Sequence, residues 1–146
     1  MRIMRTILAG ALAVTLAAAC SDSTAPADVT DEDLVGTWVA TSVTFTPTGT
    51  STPIDLLALG GGVTLVIGDD NTYSVTFTEP GGEPDVENGT YTVSAGVITI
   101  TPTGSEESEA LTIVSLDGNT LTLSSTAVEE VGEIEVSGTM RMVLEK

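Results

Sequence analysis

Nearly all the side chains here that could do chemistry carry oxygen. The 146 residues include 21 Asp and Glu, four Lys and Arg, one Cys and no His. Without His the chain lacks the commonest general base and a usual zinc ligand, and a lone cysteine, Cys20, cannot close an internal disulfide. Catalysis would have to rest on carboxylate pairs, and Glu106 with Glu107, Glu129 with Glu130 and Glu133 with Glu135 are those available. Acid–base work needs two carboxyl groups held in contrasting environments, whereas these pairs read as solvated charge in loops or at strand edges. The chain therefore reads as a non-enzyme without a cofactor. Calcium takes oxygen ligands, but Asp69-Asp70-Asn71 lacks the spacing and the glycine of an EF-hand loop, so no metal is expected.

Cys20 carries a different chemistry. Arg2 and Arg5 precede an apolar stretch from Ile7 to Ala19 that ends in small residues, the pattern of a secretory signal. The stretch is shorter than the roughly 20 residues a spanning helix needs, and no later segment approaches that length. Leu16-Ala17-Ala18-Ala19-Cys20 resembles the lipobox of bacterial lipoproteins, with Leu16 one place further out than the family usually has it. The resemblance implies cleavage before Cys20, a diacylglyceryl group on its sulfur and an amide-linked acyl chain, such as palmitate, on the new amino terminus. Several chains together give stable attachment where one gives marginal binding. Ser21 stands where an aspartate would favour inner-membrane retention, which implies the outer membrane in a diderm cell.

Once residues 1–19 are removed, Arg141 and Lys146 are the basic side chains left against 21 acids. Such a surface repels nucleic acid and anionic headgroups and stays soluble through self-repulsion. The expected partner is a membrane, reached through the anchor, and not nucleic acid.

The elements that must position any site follow in order. Residues 20–30, rich in Ser, Asp, Thr, Ala and Pro, read as a flexible tether to a single domain over 31–146. Thr30 followed by Asp31-Glu32-Asp33 reads as an N-cap and acidic first turn of one short helical turn. Beyond it, short alternating runs bounded by turn residues predict antiparallel strands at about 36–46, 62–67, 72–78, 89–94, 97–101, 110–116, 120–125 and 134–144. Asp117-Gly118-Asn119 is the strongest hairpin signal among them. Gly138 is expected to mark a bend or bulge in the last strand. Residues 79–88, rich in Pro and Gly, read as a polar, mobile loop. The connection 47–61 holds Ile54, Leu56, Leu57 and Leu59, which predict either a short helix closing one end or a lining of its mouth.

Eight up-and-down strands, a helical turn before Gly36-Thr37-Trp38, a long first connection and a basic residue on the last strand resemble the lipocalin superfamily, specifically its short bacterial lipocalin-like domains. Gly36 and Trp38 match the family's Gly-x-Trp motif. Arg141 stands where the family has an arginine over that tryptophan. The resemblance implies an all-β, eight-stranded antiparallel barrel in which Gly36, Trp38 and Arg141 close one end. The Thr-Asp-Tyr motif that the family carries near its sixth and seventh strands has no counterpart at 117–119.

An eight-stranded barrel is just wide enough to be filled by its own side chains or to hold one small ligand. Two functions follow. The first is a membrane-anchored module binding a small apolar ligand among Val63, Leu65, Val75, Phe77, Tyr91, Ile98, Ile100, Leu121 and Leu123, with Leu56, Leu57 and Leu59 in a lid. The second is a packed structural or interaction domain of the cell envelope without a ligand, which a filled interior would favour.

Overall fold

Alternation of apolar and polar residues is realised as eight barrel strands in the computed structural model, which describes residues 23–24, 26–78, 81–131 and 134–146. The expected signal and Cys20 lie outside the described residues. The strands are β1 (Gly36–Pro47), β2 (Gly62–Ile67), β3 (Thr72–Thr78), β4 (Pro84–Ser94), β5 (Val97–Pro102), β6 (Glu109–Asp117), β7 (Thr120–Val131) and β8 (Ile134–Glu145). Each pairs antiparallel with the next, and β8 returns to pair with β1, so the sheet closes on itself. Closure pairs each of the eight strands on both sides along part of its length.

Register divides the barrel into two ends. Gly36 pairs with Ile67, Ile67 with Tyr73 and Tyr73 with Gly89, which places the start of β1, the hairpin after β2 and the start of β7 at one end. Pro47, Gly62, Thr78, Pro84 and Glu109 lie at the other. The first end is closed by a short helix, α1 (Asp31–Leu34), and Leu34 is fully buried beneath it. Thr30 caps α1 as expected: the Asp33 carboxylate accepts from both the Thr30 amide, at 2.8 Å, and its hydroxyl, at 2.7 Å. Those bonds, the amide first, hold the Asp33 carboxyl below its ordinary pKa.

Several strands depart from the alternation in ways that matter to the site. In β1, Leu144 of β8 faces Ala40 while Val143 faces Ser42, leaving Thr41 as an extra residue. This bulge switches the buried face from Trp38 to Val43 and Phe45. β4 begins at Pro84, five residues ahead of the expected start, so much of the polar loop foreseen at 79–88 is strand. Its backbone completes the ladder with Thr78 to Ser74 whatever its side chains are. β7 likewise runs on to Val131.

Within the stretch 20–30, read from sequence as a tether, the described residues pack on the barrel. β5 pairs with β6 only as far as Thr112, which leaves the remaining edge of β6 open. Ser23 and Thr24 occupy that edge opposite Asp117 and Leu116, a 3₁₀ turn follows at Pro26–Asp28, and Val29 is buried in the core. The connection after β1 forms no helix. Ile54–Asp55 pairs with Thr44 and Phe45, the Asp55 carboxylate accepts from the Leu57 and Ala58 amides, and the Leu56 amide donates to the Val43 carbonyl.

Gly138 makes neither bend nor bulge, since its pairing with Pro47 and Ala127 is regular. A side chain there would collide with the Phe45 ring, its Cβ falling 2.6 Å from that ring. Gly89 does the same for Tyr73, its register partner: a Cβ would fall 2.7 Å from the ring and 2.9 Å from the Pro102 backbone. Gly89→Ala is therefore expected to overpack the barrel wall and destabilise the fold by about 1–3 kcal/mol, read as a lowered urea midpoint with an unchanged slope.

Candidate functional site

The closed end is a plug with its polar groups satisfied. Trp38 is fully buried, and its indole N–H donates to the Leu34 carbonyl at 2.7 Å. A tryptophan can sit this deep only where its one donor finds an acceptor, and α1 supplies it. The Lys146 ammonium lies over the ring, 4.6 Å from its centroid, and reaches the Asp33 carbonyl at 3.4 Å. Gly36 has a φ of 141° and leaves room for the lysine stem, which a Cβ there would strike. The cation over Trp38 is thus Lys146 and not Arg141. Met140 and Met142 face the interior, so the alternation of β8 turns Arg141 between them to the solvent side.

Above the plug the interior is open. A cavity of about 310 Å³ lies inside the barrel. Of the residues expected to line it, Val63, Leu65, Val75, Phe77, Tyr91, Ile98 and Ile100 do so. Leu121 and Leu123 do not: both are fully buried and belong to the packed core. Leu56, Leu57 and Leu59 are also outside the cavity. They line a more open depression at the mouth, of about 800 Å³, which shares Val63, Phe77 and Met140 with it. Leu59 is 62% exposed there and Phe77 41%, so the mouth presents apolar surface to water.

Lining residues that sequence reasoning missed are of two kinds. Ile67, Leu111, Ala127, Val128, Met140, Met142 and Leu144 continue the apolar wall. The others bring polar chemistry into it: Tyr73, Glu87, Glu109 and Ser125. Glu87 sits on the inward parity of β4 with Gly89 and Tyr91, and it accepts a hydrogen bond from the Tyr73 hydroxyl at 2.7 Å. Burial, then that bond and the charges of Glu87 and Glu109, push the Tyr73 hydroxyl well above its ordinary pKa, so it remains a donor. Tyr91 reaches the Gly68 carbonyl at 2.9 Å, and burial followed by the charges of Asp31, Asp70 and Asp69 also raises its pKa. Among the described residues no group of three or more acids could hold a metal ion.

An apolar lumen with a few convergent polar groups is the usual form of a small-molecule site.

A family model described as a lipocalin-like domain matches residues 34–123, from the residue whose carbonyl receives Trp38 into the first residues of β7. A crystal structure of an uncharacterized protein from Bacteroides eggerthii aligns with 77% of this chain and 98% of its own, at 12% identity and a TM-score of 0.49. No curated protein sequence matches significantly.

Lys146→Ala is expected to lower stability by about 0.5–1 kcal/mol, the size of an exposed cation–π contact, and to shift Trp38 emission. Arg141→Ala should stay within about 0.5 kcal/mol of the parent and leave the spectrum in place. Urea titration followed by tryptophan fluorescence reads both.

Proposed function

The chain belongs to the lipocalin-like domain family, and from that premise we propose that it is an envelope lipoprotein whose barrel binds a small apolar ligand. The observation that carries the binding reading is the cavity of about 310 Å³ above the Trp38 plug. Its volume stands at the lower bound of the roughly 300–1,000 Å³ typical of small-molecule pockets, which suits a single slender molecule. A filled interior would have favoured a purely structural domain.

Anchoring rests on the lipobox-like residues before Cys20. It has a geometric consequence. Ser23 and Thr24 pair with the end of β6 that lies beside the plug. Three residues from Cys20 to Ser23 reach at most about 11 Å, so the anchored barrel holds its closed end toward the membrane and its mouth toward the aqueous side. Ligand then enters from solution, past Phe77 and Leu59.

Val75→Phe, which extends a ring into the lumen, is expected to abolish uptake of an uncharged fluorescent apolar probe while the thermal midpoint stays near that of the parent. Uptake undiminished by that substitution would place the probe elsewhere and sink the cavity as its site. For the anchor, Cys20→Ser is expected to move the protein from the membrane fraction to the soluble one, and the parent's mature mass should exceed that of its polypeptide from Cys20 by the added acyl groups.

A further inference from the structure

On the reading that the cavity is a binding site, we infer that its ligand is an apolar molecule bearing a protonated amine, not a fatty acid. The wall is mostly apolar, and its charged side chains are Glu87 of β4, which pairs with Val75, and Glu109 of β6, which pairs with Ile100. Both are carboxylates, and no basic residue answers them. The chain has four basic side chains. Arg2 and Arg5 belong to the expected signal, Arg141 is on the outer surface, and Lys146 is held over Trp38 at the opposite end. Among the described residues, none of the cavity's lining side chains is cationic.

A carboxylate ligand head would therefore meet like charge in a poorly solvated space, where repulsion is strongest. An ammonium finds the reverse. Tyr73 uses one position on Oε1 of Glu87, and an ionised carboxylate accepts about four hydrogen bonds. Glu87 thus keeps acceptor positions beyond the one Tyr73 fills, at the wall of a largely apolar lumen. A primary ammonium has three donors and a charge of the right sign. Tyr73 fixes the carboxylate by donating to it, and its hydroxyl oxygen keeps a lone pair that can accept from the same ammonium.

The test is titration of the mature chain with decylamine, decanol and decanoate at pH 7, by calorimetry. Salt of about 0.5 M shortens the screening length to roughly 4 Å, so that attraction of an amine to the acidic surface at large is suppressed. Decylamine is expected to bind at least about tenfold tighter than decanoate. Glu87→Gln should reduce the ratio of decylamine to decanol affinity by about tenfold. Glu109→Gln, at the more exposed end, gives a second reading of that ratio should Glu87→Gln unfold the barrel. Decanol binding with no preference for the amine over decanoate, or an amine preference that survives both substitutions, overturns the head-group assignment and leaves the binding reading standing. Failure of decanol and decylamine alike removes the binding reading and this inference with it.

Discussion

The hydrogen bond from the Trp38 indole to the Leu34 carbonyl is the constraint on which the barrel's division of labour depends. It lets the chain's largest side chain be fully buried without an orphaned donor, and it ties the helical turn α1 to the first strand four residues later. Around it pack Leu34, Leu121, Leu123 and Leu144, all fully buried. With that end dry and filled, the remaining interior space can lie only on the mouth side. Lys146 completes the plug from outside, using the last residue of the sequence to cover the ring and reach α1.

On the mouth side the energetics run the other way. Hydrophobic residues there leave part of their surface uncovered, and Phe77 and Leu59 face water. A polar pair placed among them, Tyr73 and Glu87, is joined by one hydrogen bond, which leaves the carboxylate further acceptor positions. The closed end has been optimised for burial, and the lumen above it holds capacity that its own side chains do not consume. That contrast within one small barrel is what the proposed binding function rests on.

How much of this the sequence disclosed can be traced to the kind of signal involved. Strand existence was legible because period-two alternation and turn residues such as Asp117-Gly118 are local, and seven of the nine barrel positions expected to line a cavity indeed do so. Leu121 and Leu123 share the same parity but are fully covered by their neighbours in the packed core, and how far neighbours cover a side chain has no signature in alternation. Glu87 was hidden because its neighbourhood, Pro84-Asp85-Val86-Glu87-Asn88, looks like a loop. It is strand through a backbone ladder that its partner, β3, supplies. The cation over Trp38 was assigned to Arg141 by resemblance, yet parity on β8 turns that residue outward. The tether likewise looked free because the gap on the edge of β6 that captures Ser23 and Thr24 arises from the lengths of two distant strands.

The scarcity of aromatic residues, which alone suggests compact aliphatic packing, has the opposite effect once positions are known. The chain has one Trp, two Tyr and two Phe. Trp38 is spent on the plug, and Tyr91 is tied by its hydroxyl to the Gly68 carbonyl near the same end. Tyr73 and Phe45 each press against a glycine of a neighbouring strand, Gly89 and Gly138, so their rings are seated against the barrel wall. Phe77 stands half in water at the mouth. Trp38 and Phe45 are thus kept out of the lumen, while Tyr73, Tyr91 and Phe77 share its lining with Val, Ile, Leu and Met. The inward side chains of the eight strands leave a space of about 310 Å³ between them.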